Sequence, residues 1–330
     1  MVKDGLGHLI DLSEHQSPND THVVLIFNKR GIKLNKLSFF LKSEKLEVVD
    51  RYKYLGIILK PSGCFDSATD ELKDKATRAW YGISNIIFRD KRMQIDRIFN
   101  LFDSLVYPVA SYANEIWLPS IIPKKYFKGN ESLLDFWEKF RFEVTHQKCA
   151  KMALSVNSKT SRLAVLGELG RYPLLIQSLA KCLNYRLSLF DRRNQNVLLD
   201  SAIIEMEALE NKNSVNWLGK VNKMWELIKL NPNLCFKKSS GKTILNLVKG
   251  CFDLRFLEKI NETKSVNSDP YTNHNKLRTY SSFKASFTRE PYLDIVRNRN
   301  QRCFLTRLRV SSHNLRIETG RHAYKTSYTS

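Results

Sequence analysis

A chain of 330 residues that is 42% hydrophobic and 11% aromatic has enough apolar surface to bury a core. Its 13 Gly and 9 Pro are too few for a collagen-like or low-complexity architecture. Against 33 Asp+Glu stand 54 Lys+Arg, a formal net charge of +21; that excess calls for a polyanionic partner, nucleic acid or an anionic membrane surface, and is silent about fold.

Residues 1–22 are polar and irregular, with a turn signal at Ser17-Pro18-Asn19-Asp20. Short β-like runs follow at Val23–Phe27, Leu37–Leu41, Leu46–Val49 and Tyr52–Leu59, split by Asn28-Lys29-Arg30-Gly31 and closed by Pro61-Ser62-Gly63. Four such runs predict a small antiparallel sheet. The period then changes. Leu72, Ala76, Ala79, Trp80, Ile83, Ile86 and Ile87 recur at helical spacing behind a capping signal at Ser67-x-x-Asp70, with Lys73, Lys75 and Arg78 largely off the apolar stripe. A second helix is marked by Ile95 to Val106, ended or kinked by Pro108. A short apolar helix is expected over 109–117, a loop over 118–130, and one longer amphipathic helix from Leu134 to Met152. Helices at 163–169 and 174–190 flank Gly170-Arg171-Tyr172-Pro173, and weaker helical stretches cover 197–210, 214–229 and 241–260. Residues 261–275 read as a polar linker. The last 60 residues hold 12 Lys+Arg and 3 Asp+Glu.

The expected fold class is mainly α with a small N-terminal antiparallel β element. No run of about 18 apolar residues is present, so no membrane-spanning helix is expected, and the first residues lack the apolar stretch of a secretory signal. The six cysteines, none closer than 16 residues to the next, read as reduced core thiols rather than a zinc site. The seven histidines are not read as paired at ligand spacing with Cys or acids, and no phosphate loop, zinc-protease motif or nucleophile elbow occurs. The acids near strands and turns, Asp20, Asp50, Asp66 and Asp70, read as turn formers and caps. The five tryptophans read as core anchors.

Several stretches, in order, resemble non-LTR (LINE-type, jockey-like) retrotransposon reverse transcriptases. They are residues 24–31, the run 49–59 around Tyr54-Leu55-Gly56, residues 101–108 with Tyr112 and Glu115-Ile116-Trp117, residues 163–174, and residues 305–313 with 317–321. The resemblance implies the end of a palm with a primer-grip-like hairpin over 1–62, a helical thumb-like domain over 63–190, a helical linker region over 191–270 and a basic C-terminal segment over 271–330. Tyr54, Leu55 and Gly56 would then form the grip, where a glycine lets the backbone approach a primer strand. Lys73, Lys75, Arg78, Lys91 and Arg92, with Arg97 extending the patch, would contact phosphates of a template–primer duplex. In the C-terminal segment the candidates are Arg297, Arg299, Arg302, Arg307 and Arg309, with Arg316 beyond them, because a planar guanidinium bonds phosphate at two points.

The family's Asp-Asp hairpin, which holds two metal ions, has no counterpart in this sequence. The expectation is therefore a fragment of an RNA-directed DNA polymerase that binds RNA, RNA–DNA hybrid or target DNA without copying it. It would have no cofactor of its own, magnesium being expected only for an intact family polymerase. A location inside the cell, in the nucleus or a cytoplasmic ribonucleoprotein, goes with that expectation. A non-enzymatic binding protein derived from a transposon remnant is the alternative. A membrane-surface protein is weaker, since no strongly basic amphipathic helix with exposed Trp or Phe stands out.

Overall fold

The computed structural model describes residues 23–25, 38–41, 43–89, 94–129, 131–212, 214–228, 241–265 and 277–312. The chain is mostly helix behind a small N-terminal β region. It divides into two units, residues 1–74 and 75–330.

In the first unit, β1 (Val23–Val24), β2 (Phe39–Leu41) and β3 (Glu44–Val48) form one sheet in the order β1-β3-β2. The expectation of a purely antiparallel element is corrected. β2 and β3 are antiparallel, pairing Phe39 with Leu46, but β1 runs parallel to β3, pairing Val24 with Val48. β2 occupies one edge of β3 and β1 the other, so β3 is the central strand of a mixed sheet. The run 52–59 is a hairpin rather than one strand. β4 (Tyr52–Tyr54) and β5 (Ile57–Leu59) pair antiparallel, Tyr54 opposite Ile57, across a two-residue turn. Both turn residues have positive φ, 44° at Leu55 and 83° at Gly56, as a tight turn matching the twist of the strands requires. Lys53 on the hairpin pairs with Glu71 at 2.7 Å.

Helix α1 (Asp66–Arg89) starts before the Ser67-x-x-Asp70 signal, which lies inside its first turn and is not its cap. Its buried side is Ala68, Leu72, Ala76, Trp80 and Ile87, close to the apolar spacing of the sequence.

In the second unit, α2 (Ile95–Leu101), a π-helical segment (Phe102–Val106) and α3 (Tyr107–Ala110) follow one another directly. Pro108 therefore does not end the helix. It falls at the start of α3, just behind the widened π turn, where a missing N–H and the bulk of the ring are tolerated. Helix α4 (Asn114–Ile121) and α5 (Lys124–Phe127) replace the expected helix at 109–117 and the loop at 118–130. Pro119 sits inside α4 and leaves the Glu115 carbonyl without its helical donor. Trp217 Nε1 at 2.9 Å and Cys182 Sγ at 3.4 Å donate to that oxygen instead.

The single long helix expected from 134 to 152 is broken into a 3₁₀ segment (Leu133–Glu138) and α6 (Glu143–Ala153). Leu133, Leu134, Phe136 and Trp137 are all buried, leaving Asp135 and Glu138 as the polar positions of the segment. The turn at 139–142 places Phe142 5.3 Å and Phe140 6.5 Å from Trp117, ring centre to ring centre. Helix α7 (Arg162–Leu169) ends at Gly170, φ 57°, with Arg171 N bonding Leu166 O and Gly170 N bonding Gly167 O, a Schellman close. Pro173 then opens α8 (Leu174–Asp191), whose apolar residues pack against α4 and, further along the chain, α11 (Gly241–Ser265). Between them lie α9 (Val197–Asn211) and α10 (Trp217–Leu227). The chain continues through α12 (Arg278–Phe283), α13 (Tyr292–Ile295) and α14 (Arg299–Arg309). Four of the five tryptophans are buried core residues, and Trp217 is half-buried. No helix among the described residues is long and apolar enough to cross a membrane.

Candidate nucleic-acid interface

The glycines of the 163–174 stretch fix where the C-terminal segment lies. A Cβ on Gly167 would meet Tyr280 Oη at 2.6 Å and Phe256 at 2.8 Å. A Cβ on Gly170 would meet the backbone nitrogen of Arg289 at 2.3 Å. Glu290 N donates to Glu168 O at 2.9 Å. Segment 288–290 is thus laid directly on the C-terminal end of α7, and the arginines that follow inherit a fixed backbone.

Arg289 and three of them, Arg297, Arg299 and Arg302, line one cleft of about 940 Å³. Gln94, Ile95 and Asp96 form another part of its wall, together with Leu293, Asp294, Asn298 and Asn300. Four guanidinium groups against two carboxylates leave the lining at net +2. Arg289 is neutralised in place, bonding Asp96 and, at 2.6 Å, Asp294. Its Nε is buried with no hydrogen-bond partner among the described residues. Arg302 bonds the Val296 carbonyl at 3.4 Å and Arg299 reaches Ser155 Oγ at 3.5 Å, both long contacts. Arg297 is exposed and makes no ion pair with any described residue. The cleft borders the start of α14, where the Asn298 side chain accepts from Asn300 N at 2.9 Å and Gln301 N at 3.2 Å.

The other two C-terminal candidates face elsewhere. Arg307 donates to the Ser155 carbonyl at 2.8 Å. Arg309 meets both oxygens of Glu168 at 2.9–3.1 Å and Glu290 at 2.7 Å, and lies over the Phe283 ring at 4.5 Å. Glu168 is completely buried and also accepts from Tyr292 Oη at 2.6 Å. Burial, together with the Glu168 charge, pushes the Tyr292 hydroxyl far up, so it remains a donor.

Of the remaining candidates, Tyr54 and Leu55 are exposed, 45% and 62%, on the hairpin of the first unit. On α1, Lys73 and Lys75 are half-buried and Arg78 is exposed; Arg97 is exposed on α2. Lys91, Arg92 and Arg316 lie outside the described residues.

One reading of the histidines is corrected. His146 does meet an acid: its Nδ1 is 2.6 Å from Glu143 Oε1, one helical turn away, and both side chains are wholly buried. Arg171 Nε donates to His146 Nε2 at 2.7 Å, which leaves Nδ1 as the donor to Glu143. The other Glu143 oxygen accepts Leu174 N at 2.9 Å, capping α8, and the Arg171 guanidinium also engages Asp103. The Glu-x-x-His spacing on a helix was the available signal. This chain of groups ties α6, the 170–173 turn and the π-helical segment together, from the wholly buried Glu143–His146 pair out to the exposed Asp103. Burial raises the Cys149 thiol to about 12 and the Cys182 thiol further, so neither is an activated nucleophile. Among the described residues no three His, Cys, Asp or Glu side chains gather as a metal site. No protein-family model, no curated protein and no solved structure matches this chain.

Proposed function

We propose that this chain binds nucleic acid, RNA or RNA–DNA hybrid, as the palm-end, thumb and C-terminal part of a non-LTR type reverse transcriptase, and that these residues hold the polymer without extending it. The observation that carries the reading is the arginine-lined cleft beside α14, where Arg297, Arg299 and Arg302 converge with no carboxylate partner among the described residues. Guanidinium groups are well matched to phosphate oxygens, and contacts of that kind position a strand without reading sequence. The ordered motif series of the sequence adds the family reading. Under it, the exposed Tyr54-Leu55-Gly56 turn approaches a primer strand, and Lys73, Lys75 and Arg78 on α1 contact phosphates.

The test is binding of end-labelled RNA and RNA–DNA hybrid at several salt concentrations. Three phosphate contacts from the cleft alone give a log–log slope near −2 for a single strand, at about −0.7 per contact. A flat salt response would overturn nucleic-acid binding through this surface. Incubation with primed RNA template, deoxynucleotides and Mg²⁺ tests the second half: bound template without extension is expected, and an extended primer would overturn it.

A further inference from the structure

We infer that the cleft beside α14 takes a single-stranded segment in preference to a duplex. This deepens the nucleic-acid reading above and rests on it. The first argument is shape. At about 940 Å³ the cleft lies at the upper end of the roughly 300–1,000 Å³ cavities that enclose ligands of small-molecule size. A few nucleotide units are of that size. A duplex is a thick rod recognised by its shape and by contacts across its wide, shallow minor groove, and it does not enter a cleft of that volume.

The second argument is the chemistry of the lining. Beside the guanidinium groups stand three side-chain amides, Gln94, Asn298 and Asn300. Asn298 uses its oxygen to cap α14 and keeps its NH₂. Amides of this kind bond the edges of unpaired bases, which a duplex keeps occupied with each other. Arg297, exposed and without an ion-pair partner among the described residues, offers a guanidinium plane on which a base stacks. The third argument is electrostatic. Arg289 is held by Asp96 and Asp294, so one part of the lining carries two carboxylates for one cation, while Arg297, Arg299 and Arg302 carry the positive charge. That asymmetry suits one phosphate backbone. A second backbone brought to the same cleft would meet the carboxylates.

The experiment compares a short single-stranded oligouridylate with an RNA–DNA hybrid of equal length at one low salt concentration. The proteins are the full chain, Arg297→Glu, and Asn300→Glu. The second variant sets a carboxylate in the cleft at the first turn of α14, where acids favour the helix, so it is expected to fold. Single-strand affinity should fall about tenfold or more in both variants while hybrid affinity changes less than about twofold. An equal loss for both ligands would make the cleft a general phosphate patch and overturn the inference while leaving nucleic-acid binding standing. No loss for either ligand would also overturn it. Failure of the unaltered chain to bind either ligand would instead overturn the proposed function.

Discussion

The two ends of α14 carry the same residue type to opposite ends. Arg299 and Arg302, with Arg297 just before the helix, open into the cleft and make only long contacts with neutral oxygens. Arg307 and Arg309, at the last turn, are taken up by the protein itself, the first by a backbone carbonyl and the second by two carboxylates and two aromatic rings. The difference lies in what the fold places opposite. A wholly buried carboxylate must have a charged or hydrogen-bonding partner, and Glu168 has Arg309 and Tyr292. Among the described residues, the only carboxylates lining the cleft are Asp96 and Asp294, both already on Arg289. The net charge of the segment therefore overstates what a ligand meets.

The largest effect should come from removing the inward anchor. Glu168→Ala leaves the Arg309 guanidinium with Glu290 alone and the Tyr292 hydroxyl without its acceptor carboxylate. Loss of one partner of a buried pair costs about 3–5 kcal/mol, read as the shift in the denaturant midpoint at constant slope. A change under about 1 kcal/mol would mean that α14 is not anchored through α7, and the contrast between its two ends would collapse.

A smaller pair of effects separates the two arginine classes directly. Arg297→Ala should leave stability within about 0.5 kcal/mol and lower the salt slope of RNA binding by about one contact. Arg309→Ala should do the reverse, destabilising the fold by about 2–3 kcal/mol, because it strands the Glu168 charge, with the slope unchanged. If both variants lower the slope alike, Arg309 reaches the ligand and the distinction fails.

Much of this was legible beforehand. Helical periodicity placed α1, α2, α7, α8 and the 197–260 helices, and the Gly170–Pro173 interruption marked the break between α7 and α8 to within a residue. Propensity failed where tertiary contacts decide. Pro108 read as an end or kink and the stretch around Pro119 as a loop, but a π turn and the indole of Trp217 accommodate these prolines within helices. The parallel β1–β3 pairing is a contact between strands about 20 residues apart in sequence, which no local pattern carries. At the cleft, the arginines of 297–302 were visible as a cluster, whereas Arg289, Gln94 and Asp96 were not. Asp96 is 193 residues from its partner, and no spacing rule spans that distance. The roles of Gly167 and Gly170 are likewise long-range: they are small because Tyr280, Phe256 and the Arg289 backbone come close.

A further group of inward-held charges extends the comparison to pH. On α11, Arg255 and Lys259 grip Asp135 at 2.7 Å and 3.0 Å. Burial works against ionising that carboxyl, but hydrogen bonds and charge from the two cations outweigh it and hold it below the usual aspartate range. A depressed folded value means the contribution is complete above the unfolded value, near 3.9, and is lost as pH falls through the folded one. Asp135→Asn should therefore cost about 1–2 kcal/mol at neutral pH and show a flatter loss of stability below about pH 4. Equal acid slopes in variant and parent would show that Asp135 does not titrate against these cations.

The smallest effect concerns the hairpin, and its sign is the informative part. Leu55 occupies a left-handed position, φ 44°, that Asn and Gly adopt more readily, yet its side chain is 62% exposed. Exposure means that little packing within the protein offsets the strain. Leu55→Asn should then stabilise the chain, by about 0.5–1 kcal/mol. Strain kept at an exposed turn is a reason to look for a ligand contact. If Leu55 lies against a primer strand, the same substitution weakens binding of primed hybrid while the Tm rises. If it raises the Tm and leaves hybrid affinity unchanged, Leu55 is a turn residue only, and the grip-like role of Tyr54-Leu55-Gly56 loses its side-chain basis. A fall in Tm would mean that the leucine packs on something in the chain, and the strain would then be a structural matter.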